Sequence, residues 1–172
     1  MKRRIPFCLP PRSAIKIVLL LNAVGCLLLT SCAEKSPEEA VKVPPVKVVE
    51  YLGGTSTDSL ASYISRQPGA PNVPVVYFYA NWCGPCKRFK ESLHDERVAA
   101  VLQDATIIKI DVDTHQELAA FFGVNAIPAF IKMNKDGQVL ARISSDKWEE
   151  DVPENIAPVM NQLVHTTSFD TK

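Results

Sequence analysis

From residue 46 onward, apolar positions come in short runs separated by turn-forming residues. Val46–Leu52 has strand-like composition and ends at Gly53-Gly54. Asp58 or Thr57 can cap a short helix running through Ile64, with Pro68-Gly69 as its stop. Val73–Ala80 is nearly continuous apolar and aromatic, the pattern of a strand covered on both faces. A helix is predicted from Gly84 to about Leu102, then a strand over Thr106–Asp111. Thr114-His115-Gln116-Glu117 has the form of a capping box, Thr capping and Glu reaching back, for a helix that runs to Phe122 and stops at Gly123. Ala129–Met133 and Gln138–Ile143 read as strands joined across Asn134-Lys135-Asp136-Gly137, a hairpin signal. Ile156, Val159, Met160, Leu163 and Val164 form a helical stripe, with Pro158 requiring a nearby helix start. The order βαβαβαββα implies an α/β fold, a mixed sheet with helices on both faces.

Upstream of residue 46 the pattern changes. Residues 1–16 are basic, and Ile17–Leu29 is an apolar run of 13 residues interrupted only by Asn22 and Gly25. A spanning helix needs about 20 apolar residues. A charged stretch followed by a short apolar one reads as a secretory signal peptide, residues 1–31. Its end, Leu29-Thr30-Ser31-Cys32, resembles a bacterial lipobox, which implies lipidation of Cys32; ordinary cleavage after Ala33 is the alternative. Arg3-Arg4 is not followed by residues that suit a twin-arginine signal. Residues 32–45 are rich in Pro, Lys, Glu and Ser and read as a flexible tether, since Pro37, Pro44 and Pro45 break any helix. Residues 46–172 form the folded domain. Several acyl chains anchor a protein stably where one does not. The resemblance therefore places the domain on the outer face of a membrane, facing the periplasm. Ala33, in place of an Asp after the cysteine, leans to the outer membrane.

Charge adds to this division. The chain has 172 residues with 19 basic and 19 acidic ones. Lys2, Arg3, Arg4, Arg12 and Lys16 all precede residue 32, and no acid does, so 14 basic and 19 acidic residues remain from Ala33 onward. The mildly acidic body has no basic field for nucleic acid. A hydrophobic fraction of 47% excludes a wholly disordered chain.

Of the five cysteines, Cys8 and Cys26 leave with the signal peptide and Cys32 is lipidated, so Cys83 and Cys86 remain as thiols. They lie in Trp82-Cys83-Gly84-Pro85-Cys86, between a buried strand and a helix. At a helix N-terminus, unpaired N–H groups and the dipole favour negative charge, so the Cys83 pKa should fall below the free value of about 8.5. Cys86 lies one turn on, within reach of Cys83 for a disulfide. Gly84 relieves crowding, and Pro85 stiffens a first turn where its missing N–H costs nothing. A zinc site would need two more suitably spaced ligands; His94, His115 and His165 are scattered, so no metal is expected.

This motif resembles the thioredoxin family, over about residues 46–165. Ala80 before it and Lys87 after it match, as do Lys109-Ile110-Asp111-Val112-Asp113, Phe122-Gly123-Val124-Asn125-Ala126-Ile127-Pro128 and Gly137. The resemblance implies the thioredoxin fold, a cis Pro128, and Ile127 offering its backbone to an extended substrate beside Cys83. It also implies Trp82 as a contact surface. Two positions depart from the family. Tyr77 stands where the family buries an acid that moves the proton of the second cysteine, and the glycine after the hairpin is replaced near Ser144-Ser145. Lys109, acting by its field, or water is left to serve Cys86.

The implied function is a thiol–disulfide oxidoreductase of the bacterial envelope, a reductase or isomerase contributing to cell redox homeostasis. Its partners are protein disulfide substrates and a membrane thiol relay as electron donor, with the chain a monomer and no cofactor required. The competing reading is a redox-inert thioredoxin-like binding module or metallochaperone.

Overall fold

The computed structural model describes residues 43–68 and 73–166. The signal peptide, Cys32 and residues 33–42 of the tether lie outside the described residues. Five strands form one sheet in the order β1-β3-β2-β4-β5. These are β1 Lys47–Glu50, β2 Val73–Tyr79, β3 Ala105–Asp111, β4 Ala129–Met133 and β5 Val139–Ser144. β1 and β2 both run parallel to β3, whereas β4 is antiparallel to β2 and β5 to β4. This is the mixed α/β sheet that the patterning predicts.

The apolar run of β2 has partners on both faces. Val75 and Tyr77 pack with Phe89 of α2 (Gly84–Ser92), Leu102 of α3 (Glu96–Leu102) and Met160 of α5 (Pro153–His165). Val76 and Phe78 pack on the other face with Leu60 of α1 (Thr57–Ser65) and Leu118 of α4 (Gln116–Phe121). Each fully buried side chain of this size stabilises the fold by about 1.5–3 kcal/mol.

Three local expectations are corrected. The helix predicted over Gly84–Leu102 is two helices. Ser92 donates its hydroxyl back to Phe89 O at 2.7 Å, and Asp95 opens α3 by accepting from Arg97 N at 3.0 Å. Ser56, rather than Thr57 or Asp58, caps α1, accepting from Ser59 N at 3.2 Å. The capping box at Thr114 does not form. His115 occupies the cap of α4 without a side-chain bond, because the Thr114 hydroxyl donates to Asp111 O at 3.2 Å. Competition from a nearby backbone acceptor is the usual way such a cap is lost.

Other details follow the sequence closely. Gly123 takes φ +63° just past α4, and Gly137 takes φ +78° at the hairpin tip. A side chain at Gly137 would also strike Ala61 Cβ of α1 at 2.6 Å. The Asn134 side-chain oxygen accepts from Asp136 N and Gln138 N and so fixes the turn. α5 begins at Pro153, and Pro158 falls inside it on the exposed face, where the carbonyl it leaves unpaired is open to water. Lys132 of β4 is 8% exposed, and its ammonium donates to Val164 O at 2.8 Å and Thr166 O at 2.9 Å. It thereby satisfies carbonyls that the end of α5 leaves free. Burial lowers its pKa.

Candidate active site

The site is built where β2 ends and α2 begins. Ala80 is buried at the strand end, and its carbonyl accepts from Cys83 N at 3.2 Å. Cys83 has extended backbone and serves as N-cap of α2, its Sγ accepting from Cys86 N at 3.1 Å. A sulfur there lies among the unpaired N–H groups of the first turn, where negative charge is favoured. Cys83 and Cys86 are joined in a disulfide, with Cα atoms 5.3 Å apart, and both residues are buried. Pro85 sits in the first turn of α2, where no intrahelical N–H is needed. Gly84 does not relieve crowding as expected. A Cβ there would meet only Arg88 Nη1, at an ordinary 3.5 Å.

The segment before β4 faces Cys83. The Ile127-Pro128 peptide is cis, and Ile127 O lies 3.7 Å from Cys83 Sγ. Pro128 O accepts from Ser145 N at 3.2 Å, so the replaced glycine region still holds the proline loop through its backbone. Trp82 is 67% exposed, and its indole N–H donates to Asp113 Oδ2 at 3.0 Å. The structure therefore brings Trp82, Cys83, Gly84, Pro85, Cys86, Ile127 and Pro128 to one end of the sheet.

Lys109 lies on the other side of the cysteine pair. A cavity of about 160 Å³ is lined by Cys86, Tyr77, Tyr79, Lys87, Lys90 and Lys109. The Lys109 ammonium bonds Glu50 Oε2 at 2.8 Å and sits 4.1 Å over the Tyr79 ring, while Tyr79 donates to Glu50 Oε1 at 2.7 Å. Partial burial pulls the Lys109 pKa down, but the hydrogen bonds and charge of Glu50 and Tyr79 outweigh it and leave it raised. Tyr77, at the position of the family's acid, is part of an aromatic cluster. Its ring stacks on Phe130 at 4.9 Å and meets Phe89 edge-on at 5.1 Å. Its hydroxyl donates to Cys86 O at 3.3 Å. Burial, then the neighbouring Tyr79, pushes its pKa up, so it stays protonated.

Sequence reasoning missed Glu50, Tyr79, Asp113 and Asp151. Asp151 accepts from Arg88 at 2.6 Å and from the Trp148 indole at 2.7 Å, tying α2 to the segment before α5. Asp113 was within reach as the end of the Lys109–Asp113 motif. The others announce themselves only through contacts between distant elements.

Residues 55–162 match the family model described as thioredoxin. The chain belongs to the thioredoxin family. Thioredoxin from Mycobacterium tuberculosis is 40% identical over 93 residues, covering 54% of this chain and 78% of that protein. Thioredoxin-1 from Schizosaccharomyces pombe is 44% identical over 69 residues, 40% of this chain and 64% of that one. A mutant thioredoxin from Halobacterium salinarum superposes with a TM-score of 0.51 at 25% identity, covering 74% of this chain and 96% of that one. A thioredoxin-family chain with this cysteine pair is a thiol–disulfide oxidoreductase.

Proposed function

We propose that the protein is a lipid-anchored thioredoxin of the bacterial cell envelope that reduces or isomerises disulfides of exported proteins. Supporting the location are the basic and apolar N-terminal pattern and the cysteine at residue 32 that follows it. What carries the chemistry is Cys83 Sγ, 3.1 Å from the Cys86 N–H at the start of a helix and beside the Ile127 carbonyl.

In the reduced protein, the Cys83 thiolate attacks one sulfur of a substrate disulfide. The other substrate sulfur leaves as thiolate, and a mixed disulfide forms. Cys86 then attacks Cys83 Sγ, and the second substrate thiolate departs. The substrate gains two electrons, and the Cys83–Cys86 disulfide is the oxidised product. An isomerase returns to its start when a substrate thiolate, instead of Cys86, displaces Cys83. A membrane thiol relay restores the dithiol. Trp82 offers an exposed ring, and Ile127 a backbone edge, to the substrate chain.

Cys86 must lose a proton without a buried acid. Water entering the cavity beside it accepts that proton, for which the space suffices. Lys109, held in place by Glu50, supplies a positive field that favours the Cys86 thiolate. With water in place of a buried acid as proton acceptor, release from the mixed disulfide is slow relative to attack.

A Cys86→Ser variant expressed in cells should collect substrate proteins as adducts through Cys83 that thiol reductant releases. No adducts, together with undiminished function of a Cys83→Ala/Cys86→Ala double variant, would support a binding module instead. Palmitate labelling lost in Cys32→Ala tests the anchor separately.

A further inference from the structure

The loop that leads into the cis-proline has a second wall. Residues Phe122–Ala126 and strand β5 enclose a cleft of about 270 Å³, floored by Ala129, Phe130 and Ile131 of β4. Two cations line it, Arg142 and Lys147, and no carboxylate does. Among the described residues the Arg142 side chain makes one hydrogen bond, Nη1 donating to Phe122 O at 2.6 Å. A guanidinium has five N–H donors in a rigid fork, so most of this one is free for an acceptor. Among the described residues Arg142 forms no ion pair. Among the described residues Lys147 makes one ion pair, with the carboxylate of its neighbour Asp146 at 3.9 Å. That carboxylate already accepts from the Ser144 hydroxyl.

We propose that this cleft is a subsite that takes an acidic side chain of the substrate polypeptide, with Arg142 as the residue that determines the preference. The inference rests on the reading of the cysteine pair given above. An apolar floor under a cationic rim matches a glutamate, whose methylenes lie on Ile131 while its carboxylate meets the guanidinium. Charge-assisted bonds of this kind are the stronger ones, and bidentate pairing to Arg adds geometric selectivity. The sheet register sets the spacing. Arg142 pairs with Ile131, four residues beyond Ile127, the residue beside Cys83. Four residues of extended chain span about 13 Å. The favoured acid therefore lies about four residues from the substrate cysteine that bonds to Cys83.

The test uses the full chain in detergent, with dithiothreitol as reductant. Disulfide-linked peptides of one sequence carry Glu, Gln or Lys four residues from the cysteine, on either side of it. Their C-termini are amidated, and one further Gln peptide has a free C-terminal carboxylate. The readout is the ratio of kcat/KM between Glu and Gln peptides within each protein variant, which cancels any change in folded fraction. The wild type should favour Glu over Gln by about tenfold, through KM, on one side of the cysteine. The preference should shrink at 0.5 M salt. Arg142→Gln should bring the ratio close to one, Arg142→Lys should keep part of it, and Lys147→Gln should lower it less than Arg142→Gln. Preference for the free C-terminus over Glu would assign the cleft to chain ends instead and overturn the side-chain assignment. Equal rates for Glu and Gln with wild type, or a ratio that survives Arg142→Gln, would overturn the subsite altogether.

Discussion

The two cysteines are three residues apart yet occupy unlike surroundings. Cys83 caps a helix and faces a peptide edge and an exposed indole, all of which invite a visiting chain. Cys86 faces inward to stacked aromatic rings and to a small cavity walled by lysines. In the proposed mechanism, attack depends on backbone geometry that the first turn of any such helix provides. Resolution depends on side chains that other strands deliver. In the proposed reaction the nucleophile is thus set up by local structure, whereas its resolution draws on tertiary structure.

The sharpest break between the halves comes from the cysteines themselves. Cys83→Ser should abolish turnover, whereas Cys86→Ser should stop it at a mixed disulfide, visible by non-reducing electrophoresis. Next in size, Tyr77→Ala should cost about 3–5 kcal/mol in urea unfolding, because it empties the centre of an aromatic cluster. Tyr77→Phe keeps the ring and should cost about 1 kcal/mol or less. Lys109→Met should slow release of the mixed disulfide about tenfold and move its pH profile upward in stopped-flow assays, with attack by Cys83 unaffected. Glu50→Gln, which removes the opposing negative charge and leaves Lys109 protonated, should shift the profile weakly the other way. If Lys109→Met slows both steps alike, the separation of roles fails.

The smallest effect lies far from either sulfur. Arg97, chiefly by its side-chain hydrogen bond, holds the Asp95 carboxyl at about 2, below its ordinary 3.8. A depressed folded value means that the stabilisation is complete above about pH 4 and is lost as pH falls toward 2. Asp95→Asn can still cap α3. The wild-type urea midpoint should therefore fall more steeply than that of Asp95→Asn between pH 4 and 2, with both cysteines reacting as before.

The division between local and tertiary structure also governs what could be read from the residues alone. β2, the hairpin at Asn134–Gly137 and the helix start at Cys83 follow from neighbouring residues, and the structure contains each of them. The break between α2 and α3 was harder. Ser92 and Asp95 carry cap chemistry, but no Gly or Pro interrupts residues 87–102 to mark a stop. Thr114 shows the converse, a cap signal diverted by a carbonyl three residues back. Glu50 and Lys109 are 59 residues apart, and only the parallel register of β1 on β3 sets them side by side. Arg88 and Asp151, 63 apart, depend likewise on where α2 meets the approach to α5. No local pattern encodes a register.

The lysine beneath the last helix also matters for anyone engineering this chain. Lys132 joins the strand that follows the proline loop to the carbonyls of Val164 and Thr166. Trimming the chain before Val164 would strand an ammonium in an apolar enclosure, whereas a fusion partner attached after Thr166 leaves that latch closed. The tail end of the domain is therefore a poor place to shorten and a good place to extend.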